Sequence, residues 1–409
     1  MKPMWPISRT LPAFAVFAVL AFAWQAAAAP AGIAGGKTKD DGFQTAAPYA
    51  ILIDADTGTV LFEKDADTLV APASLAKLMT AETVFNELRE GNIKLDDEFV
   101  VSEDAWRRGG APSGGSTMFA PIHSRIKVSD LLQGAIIQSG NDSCIALAEG
   151  IAGSEESFVR MMNARARELG LTQSHFTNST GLPDPDQRVT VRELARLSRH
   201  IIATYPEFYK WYGERDFTWN KIRQQNRNPL LAMNMGADGL KTGFTKEAGY
   251  GLVGSAVQND LRLIVVVNGL KSANERADEA RKLLNYGCNA FEQRLLFAEG
   301  QQIGEARVYG GEIRHVPLEV SGGKPVRLLV PKNLTDRIVA RVVYRGPVRV
   351  PVAKGAEIAT LKVWRGDHLA LEVPLQTSQS VEAGSLQRRA MDAAGELVGG
   401  WFRAGLEKL

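Results

Sequence analysis

The sequence predicts a large α/β (α+β) domain with helices around an antiparallel sheet, then a small all-β domain and a C-terminal amphipathic helix. Residues 47–292 have strand-like runs at both ends and helical patterns between them, so the terminal strands are expected to share one sheet. Residues 293–383 are short Val-rich runs interrupted by Gly and Pro. Residues 384–409 repeat apolar side chains at helical spacing.

The first 46 residues precede the predicted fold. Lys2 and Arg9 come before the apolar run LPAFAVFAVLAFAW, which the small residues of QAAAAPAG follow. This order is typical of a secretory signal. A membrane-spanning helix is the alternative, but the apolar run is short for a bilayer. We therefore expect a signal peptide over 1–29, cleaved near Ala29, and a flexible leader over 30–46 in an exported chain.

Periodicity and turn residues predict the elements of residues 47–292. A strand hairpin with its turn at DADTG comes first, and a helix follows from about Ser74 to Glu90. Helices are expected on both sides of SGN, and a further helix ends at Gly170. The run GYGLVGSAVQNDLRLIVVVNGL predicts a strand pair around QND, and NERADEARKLLNYG predicts the closing helix.

The two C-terminal segments differ in pattern. The short Val-rich runs of residues 293–383 predict a β-sandwich. The apolar face predicted for the last helix consists of Leu386, Ala390, Ala394, Leu397, Trp401 and Leu406. Such a helix can bind a membrane surface or dock on its own protein. Because it follows a complete β domain, attachment to a membrane surface is favoured.

Composition and charge exclude several classes of function. The net charge of the 409 residues is +2, which gives no reason to expect a nucleic-acid partner. Cys144 and Cys288 are too few for a disulfide scaffold, and two separate thiols are favoured over a pair. The histidines lack ligand spacing such as H-x-x-x-H, so no metal or other cofactor is predicted. These histidines are His123, His175, His200, His315 and His368.

Three Ser-x-x-Lys motifs occur in different settings. Ser321–Lys324 is a Gly-rich turn, and Ser124–Lys127 precedes a helix. Ser74 stands near the start of an apolar helix, where free N–H groups favour a developing alkoxide, and Lys77 lies one turn further on the same face. Burial of that helix would lower the pKa of Lys77 and make a neutral base possible. This setting favours Ser74 as a nucleophile and Lys77 as its base.

The segment QSGNDS forms a break between two predicted helices. One interpretation is a tight interhelical turn with Asp142 as an N-cap. The functional interpretation places the Ser139 hydroxyl beside the lysines as a proton relay, and Asn141 then holds a substrate amide.

The segment DGLKTGFT leads into a strand run and contains Lys-Thr-Gly. Gly243 would let a ligand approach the strand edge closely. Lys241 would add a second cation that lowers the pKa of Lys77, and Thr242 would offer a hydroxyl to an anionic group.

The three motifs occur in an order, on helix, loop and strand, that class A β-lactamases and penicillin-binding proteins share. Over about residues 45–290 the chain resembles the D-alanyl-D-alanine carboxypeptidases among the low-molecular-mass penicillin-binding proteins. The resemblance implies a penicillin-binding/β-lactamase-like transpeptidase domain, and also the β-rich second domain and amphipathic anchor. The segments that carry it are APASLAKLMT, LLQGAIIQSGNDSCIALAE, FTNSTGLPDPD, QQNRNPLL and DGLKTGFT.

The resemblance implies a catalytic role for each motif. Ser74 would be acylated by the penultimate D-Ala carbonyl, with Lys77 as general base. Ser139 and Lys241 would pass the proton to the leaving D-Ala.

It also implies substrate contacts. Backbone N–H groups of Ser74 and Phe244 would form the oxyanion hole, and Thr242 would bind the terminal carboxylate. Arg276 in SANERADE, and Arg227 in QQNRN, would assist Thr242, although either arginine could instead be a solvated surface charge. Well-known relatives have His where this chain has Phe244, whose side chain cannot titrate or donate, so rate, pH profile and substrate preference are open.

The activity implied is removal of the terminal D-alanine from peptidoglycan pentapeptides, inhibited by β-lactams, in the periplasm at the outer face of the inner membrane. A serine β-lactamase is one alternative, but class A enzymes deacylate with a Glu between the second and third motifs. The segment HFTNSTGLPDPDQRVT contains Asp184 and Asp186 but no Glu. The second alternative is a catalytically silent cell-wall scaffold, which is disfavoured because every motif residue is present. Endopeptidase or weak transpeptidase activity stays open.

Overall fold

The computed structural model describes residues 42–333 and 337–393. In these residues the strands are β1 (Tyr49–Asp54), β2 (Val60–Lys64), β3 (Glu98–Val100), β4 (Arg125–Lys127), β5 (Asp216–Trp219), β6 (Ile222–Gln225), β7 (Ala237–Thr245), β8 (Gly249–Gln258), β9 (Leu261–Leu270), β10 (Phe291–Phe297), β11 (Gly304–Tyr309), β12 (His315–Val320), β13 (Val326–Pro331), β14 (Ile338–Tyr344), β15 (Val348–Arg349), β16 (Glu357–Arg365) and β17 (His368–Thr377).

A five-stranded antiparallel sheet in the order β2-β1-β9-β8-β7 lies at the centre of the larger domain. Strand β1 pairs with β9, so the terminal strands of the region share a sheet, as predicted. The middle of β9 is buried on both faces: Ile264 and Val266 belong to one apolar core, whereas Leu263, Val265 and Val267 belong to another. The apolar run is therefore continuous because helices cover both faces.

Helices form a layer on each face of the sheet. One core contains buried residues of α1, α3, α4 and α5, and the other contains those of α7. Helix α1 is buried from Lys77 to Phe85, which fits its predicted apolar character. Helices α5 and α6 are additional to the predicted elements. The helices are α1 (Lys77–Arg89), α2 (Val128–Gln133), α3 (Asn141–Ala152), α4 (Glu155–Glu168), α5 (Val191–Thr204), α6 (Pro206–Tyr209) and α7 (Ala273–Ala290).

The predicted turns are in place, with one correction. Asn259 and Asp260 both have positive φ, as a two-residue hairpin turn between β8 and β9 requires. The placement of Lys-Thr-Gly at the head of the β8 run was wrong. Residues 241–243 lie inside β7, a separate edge strand that a turn at 246–248 joins to β8. The strand lacks an apolar pattern at this point because its buried residues Lys241 and Thr242 are polar.

The smaller domain is all-β, as predicted. It contains a six-stranded sheet in the order β14-β16-β17-β12-β11-β15 and the pair β10-β13, which enclose one apolar core. Its first strand begins at Phe291. The Thr59 hydroxyl donates to the Ala370 carbonyl at 2.9 Å and so links the β1–β2 turn to the smaller domain.

The two ends of the described chain are held to the fold. Phe43 stacks on Tyr286 with ring centroids 4.1 Å apart, and Thr45 donates to Glu279 at 2.6 Å, so the end of the predicted flexible leader packs against α7. Residues 386–393 are helical, and the Asp392 carboxylate accepts from the Gly310 N–H at 2.9 Å. The predicted signal peptide and the end of the amphipathic helix lie outside the described residues. None of the described helices is long and apolar enough to cross a membrane.

Candidate active site

Ser74 lies in a 3₁₀ turn, Ala73–Ala76, that leads directly into α1. Its side chain is half-buried, whereas Lys77, the first residue of α1, is only 2% exposed. Two glycines bring other segments against this turn. A Cβ on Gly181 would lie 2.0 Å from the Ala73 carbonyl oxygen, and one on Gly243 would lie 3.2 Å from the Leu75 nitrogen. The nucleophile turn is therefore clamped between the loop of Gly181 and β7.

Three oxygen atoms surround the Lys77 ammonium. Lys77 Nζ lies 3.1 Å from Ser74 Oγ and 2.7 Å from Asn141 Oδ1, and it also donates to the Thr180 carbonyl. A protonated ammonium fills all three contacts with its three N–H groups. A neutral amine has two N–H groups, which satisfy the two carbonyl oxygens because these cannot donate. Its lone pair is then left for the Ser74 hydroxyl, which is the orientation that a general base needs.

Burial, assisted by the charge of Arg227, lowers the pKa of Lys77 to about 8. Burial also raises the pKa of the Cys144 thiol to about 11, so this neighbour is neutral when Lys77 titrates. The second Ser-x-x-Lys motif shows the contrast: an ion pair with Asp96 raises the pKa of Lys127, whose side chain is half exposed. The same spacing thus gives a base only where the helix buries the lysine.

The Ser-Gly-Asn motif forms the break before α3. Ser139 has φ of 66° and is 1% exposed, and its hydroxyl has no hydrogen-bond partner among the described residues. A buried, unpartnered hydroxyl in a strained backbone conformation is typical of a functional position. Asn141 Oδ1 accepts from Lys77, so its Nδ2 is the end that can donate to a substrate carbonyl.

Asp142 does not act as the N-cap that the structural interpretation suggested, since Gly140 is the N-cap of α3. Its carboxylate instead accepts from the Thr117 hydroxyl at 2.5 Å and from the Met118 and Ala120 N–H groups. These bonds fix the loop before β4 against the start of α3.

Lys241 and Thr242 are 3% and 6% exposed on β7. The Lys241 ammonium donates to the Thr242 carbonyl at 3.1 Å. Burial, and then the charge of Lys77, lower the pKa of Lys241 well below 10.5. The charge of Lys77 thus acts on Lys241, whereas the causes that lower the pKa of Lys77 are burial and Arg227, so the predicted effect of Lys241 on Lys77 stays a prediction. At neutral pH the site therefore favours the loss of a proton from its pair of lysines.

Phe244 and Arg276 both contact the ring of Tyr250. The Phe244 ring stacks on Tyr250 with centroids 4.1 Å apart, and the Arg276 guanidinium carbon lies 5.7 Å from the Tyr250 centroid. Phe244 is 50% exposed, whereas Arg276 is 9% exposed and its Nε has no partner among the described residues. Arg276 is thus a buried cation with free donor capacity. Tyr250, which sequence reasoning missed, positions it.

Arg227 is exposed, yet it is connected to the site. Its Nη1 lies 2.5 Å from Ser116 Oγ, and the Ser116 carbonyl accepts from the Asn141 N–H at 2.8 Å. Its charge also lowers the pKa of both buried lysines. The bond to Ser116 holds Arg227 at the rim of the site.

The third hydrogen-bond acceptor of Lys77, the Thr180 carbonyl, and the contacts that hold it were not predicted from the sequence. Thr180 contributes a backbone carbonyl, and the preceding residue Ser179 donates its N–H and hydroxyl to Glu155 at 2.9 and 2.6 Å. The other Glu155 oxygen pairs with Arg108 at 2.7 Å. A backbone acceptor leaves no residue-type signal, although its segment, FTNSTGLPDPD, was among those that carried the resemblance.

Replacing Ser139 by glycine is expected to reduce peptide hydrolysis at least about 100-fold, since a proton relay contributes that much. The melting temperature should stay unchanged or rise by up to about 3 °C, because glycine relieves the left-handed strain and removes an unpaired hydroxyl. Ser143→Ala is the matched control, since Ser143 also has a buried, unpartnered hydroxyl. Full activity of Ser139→Gly in a peptide assay would exclude the relay.

The site is that of a serine acyltransferase or peptidase. It combines a half-buried serine at the start of a helix, a lysine that can be neutral, and an edge strand with a second buried lysine. Metal-ligating groups of three or more His, Cys, Asp or Glu are absent from the described part of the chain.

Comparisons with known proteins agree with this class. The family profile for D-alanyl-D-alanine carboxypeptidase matches residues 36–272, and that for the penicillin-binding protein 5 C-terminal domain matches residues 291–383. D-alanyl-D-alanine carboxypeptidase DacC of Escherichia coli K12 is 39% identical over 355 residues, which are 86% of this chain and 88% of that protein. Penicillin binding protein 5 from Haemophilus influenzae has a TM-score of 0.74 at 36% identity, covering 85% of this chain and 100% of that one.

Penicillin-Binding Protein D2 from Listeria monocytogenes, solved in an ampicillin-bound form, has a TM-score of 0.54 at 28% identity and covers 61% of this chain and 99% of that one. The chain belongs to the D-alanyl-D-alanine carboxypeptidase family. The predicted family, fold and activity are confirmed: it is a serine-type carboxypeptidase that acts on peptidoglycan.

Proposed function

We propose that the chain removes the terminal D-alanine from peptidoglycan pentapeptide stems through an acyl-enzyme on Ser74. The observation that carries this proposal is the set of contacts around Lys77, which directs the lone pair of a neutral amine at the Ser74 hydroxyl. Ser74 Oγ attacks the penultimate D-Ala carbonyl while its proton moves to Lys77. The backbone N–H groups of Ser74 and Phe244 stabilise the oxyanion.

Collapse of the tetrahedral intermediate breaks the peptide bond, and the leaving D-Ala nitrogen takes a proton through Ser139 and Lys241. The proton passed to the leaving nitrogen is the one that Lys77 took from Ser74, so Lys77 is neutral again in the acyl-enzyme. Water then attacks the acyl carbonyl and gives a proton to Lys77, which returns it to Ser74 Oγ as the shortened stem is released. The free hydroxyl of Ser139 and the lowered pKa of both lysines support this relay. No cofactor takes part in the proposed steps.

Thr242 and Arg276 bind the terminal carboxylate of the substrate, and Arg227 adds positive charge at the rim. The unpartnered Nε of buried Arg276 supports this role, because a buried donor needs a partner. Gly243 permits close approach to the β7 edge, and Asn141 Nδ2 holds the amide upstream of the scissile bond.

β-Lactams are proposed to acylate Ser74 and to form an acyl-enzyme that is hydrolysed slowly. The Listeria relative was solved with ampicillin bound. A β-lactamase is disfavoured because Glu155, a carboxylate whose charge acts on Lys77, has one oxygen on Ser179 and the other on Arg108. Neither oxygen is therefore free to activate a deacylating water.

The proposal is tested with diacetyl-Lys-D-Ala-D-Ala and with penicillin. We expect release of D-Ala, its inhibition by penicillin, and a long-lived penicilloyl adduct that mass spectrometry places on the peptide containing Ser74. Rapid steady-state turnover of penicillin would instead favour the β-lactamase.

We further propose that the chain is exported to the periplasm and attached to the outer face of the inner membrane by its C-terminal segment. The sequence of residues 1–29 and the apolar face predicted for residues 384–409 support this. The start of that helix is tied to Gly310 by Asp392, so the proposal assigns membrane contact to the residues beyond it.

Ending the chain after Ser385 is expected to move the mature protein into the soluble fraction while kcat/KM on small peptides changes less than about twofold. A cut at Gln376 is unsuitable, because Thr377 and Val381 are buried in the β domain. Fractionation of cells expressing the full and shortened chains checks this. Membrane association of the shortened chain would rule out the helix as the anchor.

A further inference from the structure

The loop that supplies the Thr180 carbonyl to Lys77 is held at both of its neighbours in the fold. Ser179, the preceding residue, is fully buried, and its carbonyl accepts from the Thr80 hydroxyl at 2.6 Å. Thr80 lies on α1, three residues after Lys77. The N–H and hydroxyl of Ser179 donate to one oxygen of Glu155, the first residue of α4, at 2.9 and 2.6 Å. The loop is therefore fixed between α1 and the start of α4.

The other oxygen of Glu155 connects this loop to the surface. It lies 2.7 Å from Arg108 Nη2, and Arg108 Nη1 also lies 2.7 Å from an Asp104 carboxylate oxygen. The Glu155 side chain is 13% exposed, whereas those of Arg108 and Asp104 are 43% and 48% exposed. A carboxylate that is largely withdrawn from water thus has its charge balanced by one partly exposed arginine. None of the reaction steps above uses either of these two charges.

Glu155 also acts on Lys77 through its charge. Burial lowers the pKa of Lys77, and the titratable and charged groups that face it modify this effect. Those that raise the pKa are Cys144, Asp142 and Glu155, and the one that lowers it is Arg227. Lys241 is a further cation of the site, and burial and then Lys77 lower its pKa. Because Glu155 also holds the loop whose carbonyl contacts the Lys77 ammonium, it influences this lysine in two separate ways.

We propose that Glu155 and Arg108 form a positioning pair for Lys77. Glu155 holds the loop that supplies the third acceptor of the lysine, and Arg108 balances the charge that Glu155 places near it. The inference rests on the proposed function, in which neutral Lys77 takes the proton of Ser74. Loss of Arg108 leaves the Glu155 carboxylate unbalanced, which favours the protonated ammonium and slows acylation at neutral pH. Loss of the Glu155 charge has the opposite effect.

The test of the charge balance is the pH dependence of acylation by penicillin, measured by stopped flow on the purified chain. Arg108→Gln should raise the midpoint by about 0.5 pH unit and slow acylation about threefold at pH 7, since one unbalanced charge acts through partly screened protein. The plateau rate at high pH should stay unchanged. Glu155→Gln should lower the midpoint by a similar amount. The double variant Arg108→Gln/Glu155→Gln should return it to the parent value, because the pair is again neutral as a whole.

Glu155→Ala tests the hold on the loop. It removes the acceptor of the Ser179 N–H and hydroxyl, so the plateau rate should fall about tenfold, because a small displacement of a catalytic contact is costly. Glu155→Gln keeps an acceptor and should restore the plateau to within about threefold of the parent. Arg107→Gln is the matched control: Arg107 pairs with Glu103 and both side chains are exposed, so midpoint and plateau should stay unchanged.

An unchanged midpoint in both single variants, or a shift in the same direction in both, would overturn the inference while acylation continues. A merely structural pair would give this result, with lower rates or melting temperatures and no movement of the midpoint. If a variant at Glu155 does not fold, the midpoint of Arg108→Gln decides alone, since that side chain is partly exposed. If penicillin does not acylate the parent chain, the proposed function fails and the inference fails with it.

Discussion

Ser74→Ala should release D-Ala from diacetyl-Lys-D-Ala-D-Ala at least about 10⁴-fold more slowly than the parent chain and form no penicilloyl adduct. Removal of the nucleophile of a catalytic set costs this much or more, because the remaining groups cannot form the covalent intermediate. The fold should be little affected, since Lys77 keeps Asn141 and Thr180 as partners. Stopped-flow acylation, labelling with a fluorescent penicillin and thermal unfolding measure the three effects.

The chain supplies matched controls for this experiment. Ser124 belongs to the same Ser-x-x-Lys spacing, but its hydroxyl donates to the Pro121 carbonyl at 2.6 Å, and Lys127 pairs with Asp96. Ser124→Ala should therefore keep full activity and labelling. Retention of full D-Ala release by Ser74→Ala, or a penicilloyl group mapped to Ser124, would overturn the assignment of the nucleophile.

The sequence predicted the groups that act through side chains and missed those that act through the backbone. Ser74, Lys77 and Asn141 could be selected because their residue types and order carry chemistry, and the structure brings them into contact. The Thr180 carbonyl could not be selected, since any residue provides a carbonyl and this one lies 103 positions from Lys77. Its placement depends on Glu155, which only the folded chain brings to Ser179.

Strands with a continuous apolar run could be predicted from the sequence, whereas the polar edge strand β7 could not. The continuous apolar runs of β1 and β9, at the two ends of the region, predicted the shared sheet. In contrast, DGLKTGFT is too polar and rich in glycine to resemble a buried strand, so only its pairing with β8 shows that it forms the sheet edge. The turn joining it to β8 contributes Lys246 and Glu247 to a cavity beside the site, which Arg188 also lines. Arg188 comes from a segment distant in the chain, so this cavity could not be predicted from the sequence.

Lys77→Met is expected to slow acylation of Ser74 by penicillin and by peptide about 10³-fold, since a positioned general base contributes between about 10² and 10⁴. Methionine has nearly the length of lysine and needs no desolvation of a charge, which offsets the loss of the donor to Asn141 and Thr180, so the variant should keep its fold. Lys77→Arg should be equally slow, although it keeps a cation, because arginine does not lose its proton. Lys127→Met is the matched control and should leave acylation unchanged.

The pH profile separates a base from a cation that only binds substrate. Because burial lowers the pKa of Lys77 to about 8, about one-tenth of it is neutral at pH 7, and the acylation rate should rise about tenfold per pH unit below 8 and level off above it. Stability should follow the same group: the unfolded chain binds more protons between about pH 8 and 10.5, so the free energy of unfolding rises with pH in that window. Lys77→Met should lose the pH dependence of the acylation rate and the part of the stability change that Lys77 contributes, whereas Lys241, whose pKa burial also lowers, keeps its own part.

The two readouts together decide whether Lys77 acts as the base. If Lys77 were only structural, the free energy of unfolding of the parent chain would still rise between pH 8 and 10.5. The acylation rate, however, would not rise as the pH approaches 8. A lysine that only binds substrate as a cation would give a rate that falls as pH rises through 8, the opposite sign to the one expected. A rate that rises through pH 8 in the parent chain, and is slow and flat in both variants, requires the neutral amine whose lone pair the Asn141 and Thr180 oxygens direct at Ser74.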